Sequence, residues 1–225
     1  MELRPAYPLR TNRLLLRPLS AADIDALLAY RSLPGECRYV PFEPMDRDDV
    51  VARLGGVWAT DAITAEGATL TLGFALARSG RLIGDVMLAF TSEKHRGGQI
   101  GWMVNPAHAG HGYATEAAHA ILQLAFDGLG LHRVVARVDA RNGPSLRLAE
   151  RLGMRREAYL IRNEWFKGEW SDEIDFALLE DEWRAQHELG GPCRSPAGRP
   201  EPISRHSSSA INAAARAAPS RGTGR

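Results

Sequence analysis

The sequence predicts an α/β protein of the α+β kind: a mixed, mostly antiparallel sheet of about seven strands with flanking helices and one parallel crossover at its centre. Three observations carry this reading. The apolar runs within 69–90 are split only by "RSGR", which marks an antiparallel hairpin. The run "GQIGWMVNP" (98–106), a helical stretch from about Ala114 to Gly128 and the β-branched run "HRVVARVD" (132–139) make a strand–helix–strand unit, which returns the chain parallel. After a short helix, two more apolar runs at 154–162 and 173–179 complete the sheet.

Taken in order, "RLLLRPL" (13–19) reads as a short strand. Ser20 is placed to cap a helix, and Ile24, Leu27, Leu28 and Leu33 follow at helical spacing. "PGECRYVPFEP" is punctuated by Pro and Gly and reads as loop, and "DRDDVVARLGGVWA" as a second helix. Pro106 stops the strand before it. In the central helix Ala114, Ala117, Ala118, Ile121, Leu124 and Ala125 form one apolar stripe. "PSLRLAERLG" (144–153) is a short helix with Gly153 just past its end. "RNEWFKGEWSD" reads as the loop between the last two strands, and "LEDEWRAQHE" as a final short helix.

From Gly190 the composition changes to Gly, Pro, Ser, Ala and Arg with few large apolar residues, which cannot offset the entropy of ordering. The expected organisation is one folded domain over 8–189 and a disordered basic tail over 190–225. That tail holds six Arg against one Glu, +5 of a total charge of +1, which leaves −4 on residues 1–189. So small a total gives no overall drive toward nucleic acid or an anionic membrane, and no specific nucleic acid is expected as a partner. No apolar run reaches the roughly 18 residues of a membrane span. Arg and Pro interrupt the N-terminus where a signal peptide needs an apolar core. Cys37 and Cys193 lack metal-ligand spacing and read as free thiols. A cytoplasmic protein, monomer or homodimer, is expected.

The stretch "AGHGYATEA" (109–117) opens the central helix directly after a strand and carries two glycines one residue apart. Such a turn presents backbone N–H groups to a phosphate. A nucleoside-triphosphate loop needs Lys and Ser/Thr after the last glycine, and Tyr113 and Ala114 stand there. A dinucleotide loop needs Gly or Ala at 115, where Thr115 stands, and an acid about 20 positions on, whereas Asp139 is 27 past Gly112. A row of N–H donors without a lysine suits a pyrophosphate. His108, His111 and His119 surround the loop without a further convergent ligand, so no metal is expected.

Several stretches together resemble the GNAT (Gcn5-related) N-acetyltransferases, and more narrowly their RimJ/RimL branch: "TNRLLLRPLSAADIDALL", "IGWMVNP", "GHGYATEA", "NGPSLRLAERLGMRREA" and "WSDEIDFALLEDEW". The resemblance implies acetyl-CoA as co-substrate and acetyl transfer to a primary amine by direct attack in a ternary complex. The acceptor is a protein or peptide N-terminal α-amine, with a small-molecule amine or a non-catalytic acyl-CoA-binding module as alternatives. It implies a GNAT fold whose central parallel strands splay to admit the pantetheine arm. Backbone at Met103 and Val104 would bind the arm, and Ala109, Gly110, His111, Gly112, Tyr113 and Ala114 the pyrophosphate. Asn142 would bond the pantetheine amides. Ser145 is the proposed proton donor to the leaving thiolate, because Ala149 stands where many relatives carry Tyr. Gln99 stands where relatives often carry Glu, so Glu157 and Asp172 are the candidate bases. Ala109 also departs from the Gln or Arg that the family's loop carries. Arg141, Arg147 and Arg151 are candidates for the adenosine 3′-phosphate, and Trp102, Trp165, Phe166 and Trp170 for the acceptor pocket.

Overall fold

The computed structural model describes residues 1–188. Its sheet has eight strands: β1 (Leu9–Arg10), β2 (Leu14–Pro18), β3 (Thr69–Leu76), β4 (Leu82–Ser92), β5 (Gly97–Val104), β6 (Arg133–Asp139), β7 (Arg155–Phe166) and β8 (Glu169–Leu179). The spatial order is β1-β2-β3-β4-β5-β6-β8-β7. Every pair is antiparallel except β5–β6, which is parallel as the crossover requires. The helices are α1 (Ile24–Arg31), α2 (Pro34–Cys37), α3 (Arg47–Leu54), α4 (Tyr113–Gln123), α5 (Gly143–Arg151) and α6 (Glu180–Glu188). Residues 190–225, with Cys193 and the basic tail read there, lie outside the described residues. The folded body begins before residue 8: Leu3 is buried and bridges Ile63.

Four details differ from the sequence reading. The two-residue β1 adds an eighth strand. Pro34 opens a single helical turn inside the stretch read as loop. The central helix ends in a π turn over Leu124–Gly128, which its apolar periodicity does not reveal. Most of "RNEWFKGEWSD" is strand, because Lys167 and Gly168, at φ 53° and 78°, turn the chain in two residues. Two positive φ values in a two-residue loop match the twist of the flanking strands.

Strand alternation divides the apolar residues between the two sheet faces. Ile100, Val134, Ala136 and Phe176 join α4 residues Ala117, Ala118 and Ile121 in the larger core. Met103 and Leu82 join Leu27, Tyr30, Val50 and Trp58 of the α1–α3 region in a smaller one. The centre of the sheet lies between these cores, and there it opens.

Candidate active site

The parallel ladder between β5 and β6 is three residues long: Gly97 opposite Arg133, Gly98 opposite Val134 and Gln99 opposite Val135. Past Gln99 each strand continues with its other neighbour only. β5 pairs with β4 as far as Val104, and β6 with β8 as far as Asp139. The facing edges of residues 100–104 and 136–139 therefore diverge, with unpaired ladder groups between them. An extended amide-bearing arm fits such a gap as an added strand. A cleft of about 280 Å³ occupies it, bordered by Met103, Val138, Asn142 and Ser145 on one side and by Tyr39 and Phe42 on the other.

At the cleft's far end Asn142 caps α5, its Oδ1 accepting from the Ser145 N–H at 3.2 Å. This places Ser145 in the first turn, facing β5. The Trp102 indole Nε1–H donates to Ser145 Oγ at 3.2 Å across the gap. The serine oxygen thus has a fixed donor, and its own proton is left to point elsewhere. Ala149, one turn on, is fully buried in the larger core.

The phosphate loop lies at the start of α4. Gly110 and Gly112 both have φ of 78°, and nothing lies within 4 Å of where a Cβ on Gly110 would stand. Gly112 is the N-cap residue, and the first N–H to find an acceptor inside the helix is Glu116, bonded to Gly112 O at 3.0 Å. The N–H groups before it lack intrahelical acceptors at the positive end of the helix, an arrangement that favours an anion. His111 bonds Ala109 O through Nδ1 at 2.8 Å and stacks on Tyr113, while Tyr113 and Ala114 pack against the larger core. Met103 and Val104 sit on the open half of β5, the first buried in the smaller core. Of the residues named from the sequence, Met103, Asn142 and Ser145 border the cleft, whereas Gly112 of the loop borders a separate groove along α4.

The candidate bases are not brought there. Glu157 lies by the closed end of the ladder, paired with Arg133 and Arg155. The Arg133 guanidinium holds its carboxyl down at about 2, against the opposing effect of burial and with help from Arg155. Asp172 is held by the Tyr159 hydroxyl and the Arg162 N–H, which lower its pKa. Neither borders the cleft, and neither is placed to accept a proton in it. Trp165 and Trp170 pack edge-on against each other on the exposed β7–β8 hairpin, and neither borders the cleft. Arg141 bonds Asp139 and Glu169, and Arg151 borders a groove along α4 with Thr115 and His119.

Sequence reasoning missed a buried cluster on the acceptor side. Arg31 Nη2 donates to Asp85 Oδ1 at 2.5 Å, and the Tyr30 hydroxyl donates to Asp85 Oδ2 at 2.5 Å. Both charged side chains are below 10% exposed (7% and 5%), so the pair enters the cleft wall as a neutral unit. Burial, reinforced by Asp85, pushes the Tyr30 hydroxyl well above its ordinary range, so it stays protonated. The tyrosine occurs at core spacing in α1, but nothing local links it to an aspartate 55 residues on.

A profile of the acetyltransferase (GNAT) domain matches residues 13–155. The chain belongs to the GNAT family. The uncharacterized N-acetyltransferase YnaD of Bacillus subtilis is 33% identical over 173 residues, 77% of this chain and 97% of that protein. Among solved structures, a GNAT-family acetyltransferase from Bacillus anthracis superposes with a TM-score of 0.69 at 29% identity, covering 81% of this chain and 100% of that one. The spermidine N-acetyltransferase of Vibrio cholerae, solved with CoA and spermine, has a TM-score of 0.67 at 22% identity over 77% of this chain and 99% of its own; that likeness is one of fold. As a GNAT enzyme this chain is an acyl-CoA-dependent N-acyltransferase.

Proposed function

We propose that this enzyme transfers an acetyl group from acetyl-CoA to a primary amine of low pKa, first among them a protein or peptide N-terminal α-amine. The observation that carries this is the state of the carboxylates in the cleft wall. Asp85 is bound by Arg31 and Tyr30, and Asp139 by Arg141 at 2.7 Å. Gln99 cannot take a proton. An amine entering here has to be neutral already. Holding a lysine ε-amine (pKa about 10.4) neutral near pH 7.5 costs about 4 kcal/mol, whereas an α-amine (about 7.7–8.0) costs well under ~1.

Acetyl-CoA supplies the thioester. The chain's part is to seat the arm along the open edge of β5 at Met103 and Val104, with Asn142 free to bond it through its Nδ2. The acceptor nitrogen forms the new C–N bond as the C–S bond breaks, and the proton it sheds ends on the departing sulfur, which leaves as the thiol. The leaving sulfur takes a hydrogen bond from the Ser145 hydroxyl, whose direction Trp102 sets. A small polyamine is the second reading. It is favoured by Glu173 Oε1 and Asp175 Oδ1, two buried carboxylate oxygens on the same sheet face as Asp139 that make no hydrogen bond and share one counter-charge, Arg137 Nε at 3.7 Å from each. The test is thiol release from acetyl-CoA with a panel of amines. Peptides with free α-amines should turn over in preference to lysine ε-amines. Turnover on ε-amines but none on α-amines removes the first acceptor class, and selective turnover of polyamines selects the second.

A further inference from the structure

The loop departs from its family at Ala109, which has no side chain to offer a phosphate. A cation from another element stands over the same loop. Arg13, at the start of β2, donates through its backbone N–H and Nε to the two oxygens of Glu116 at 2.7 and 2.6 Å. Its Nη1 donates to His111 O at 2.9 Å, and its guanidinium lies over the Tyr113 ring at 4.6 Å. Thr11 completes the anchor, donating its hydroxyl to Glu116 Oε1 at 2.6 Å. Three contacts, through Nε, Nη1 and the Tyr113 ring, thus fix the plane of the guanidinium. The atom left over is Nη2, which makes no hydrogen bond among the described residues. It stands 3.5 Å from where a Cβ on Gly112 would be, beside the loop that opens α4.

We propose that Arg13 donates through Nη2 to the pyrophosphate of the acyl-CoA substrate, in place of the side chain that Ala109 lacks. This rests on the reading of the loop as the pyrophosphate site. The geometry gives the residue a second effect. Glu116 carries a negative charge in the first turn of α4, close to where the anion binds, and Arg13 neutralises it. Removing Arg13 both deletes a charge-assisted donor and uncovers a repelling carboxylate.

The test compares two acyl donors, acetyl-CoA and acetyl-pantetheine, which has the thioester and arm but no pyrophosphate. In Arg13→Ala the KM for acetyl-CoA should rise by about tenfold or more, the range for a hydrogen bond to a charged group. The KM for acetyl-pantetheine should stay unchanged, and kcat with either donor should move little. Ala109→Arg added to Arg13→Ala should restore most of the acetyl-CoA KM, and Glu116→Gln added to it should restore part. An equal rise for both donors, or none for acetyl-CoA, overturns the proposal. If Arg13→Ala melts below the assay temperature, Arg13→Lys takes its place, with the same contrast between donors expected at smaller size. A wild-type enzyme that uses both donors with one KM would instead overturn the pyrophosphate reading of the loop.

Discussion

At the scale of single residues, the hydroxyl proposed to assist the leaving sulfur, that of Ser145, is held by the Trp102 indole. The Trp102 indole can only donate, so the bond between them fixes the serine as acceptor there and leaves its proton for a second partner. Ser145→Ala should lower kcat on the order of 100-fold with little change in KM for either substrate. Trp102→Phe keeps the ring and removes the N–H, and should lower kcat by about 2- to 10-fold, the worth of one neutral hydrogen bond. A Trp102→Phe enzyme with wild-type kcat would show that the indole does not orient the serine. Asp85 is a residue of another kind, structural and unforgiving. Arg31 is buried against the Trp58 and Phe42 rings at 4.7 and 5.1 Å, and Asp85 is its counter-ion. Asp85→Ala leaves that charge alone in the interior and should destabilise the fold by about 3–5 kcal/mol, read from the urea midpoint. The positions of Asn142 and Ser145 at a helix start were legible in the sequence because a helix start has local chemistry. Arg13 and Asp85 were not, because each acts through a partner 103 or 54 residues away, and only the sheet's order brings them together.

At the scale of elements, the legible parts were those with a strong period or a strong stop. The apolar stripe of α4, the β-branched β6 and the Pro106 stop each fell where local pattern put them. The β7–β8 hairpin did not. Its turn is Lys-Gly, without the Asn-Gly or Asp-Gly mark, and its strands carry exposed Tyr159, Ile161, Trp165 and Trp170 without a one-sided alternation. Those strands are joined to the rest by charge as well as by the ladder. Glu157 links β7 to Arg133 of β6, and Arg155 links it to Glu182 of α6. Glu157 has a folded pKa of about 2, below the roughly 4.3 of an unfolded glutamate, so its stabilisation is full above that unfolded value. The contribution is lost as pH falls from there through about 2. Glu157→Gln should therefore unfold more easily than wild type at pH 6 and equally easily at pH 2. A gap between the two denaturation midpoints that stays constant across that range would show that the pair does not act through ionisation.

At the scale of the whole molecule, the sheet's parallel pair opens after three residues, and that line runs between two separate cores. β5 contributes Ile100 to the larger core and Met103 to the smaller, so the opening cannot be closed by sliding one strand without moving both. The closed end is built to resist such movement. Gly98 has no room for a side chain, because a Cβ there would stand 2.5 Å from Leu131 Cδ1 and 3.1 Å from Ala89 O. This rigid fork, three paired residues and then two free edges, makes amide hydrogen exchange a direct probe of where the cofactor sits. Backbone groups of residues 100–104 and 136–139 that face the gap have no ladder partner in the free enzyme, and an inserted arm supplies one. Saturating CoA should slow exchange along both open edges and in residues 110–115 of the loop, and leave residues 97–99 and 133–135 as they were. CoA at 100 times its dissociation constant should also stabilise the fold by about 2.7 kcal/mol through mass action alone, seen as a higher melting temperature. Stabilisation without slowed exchange at the two open edges would place the ligand on the loop and outside the fork, and the arm would then not act as the sheet's missing strand.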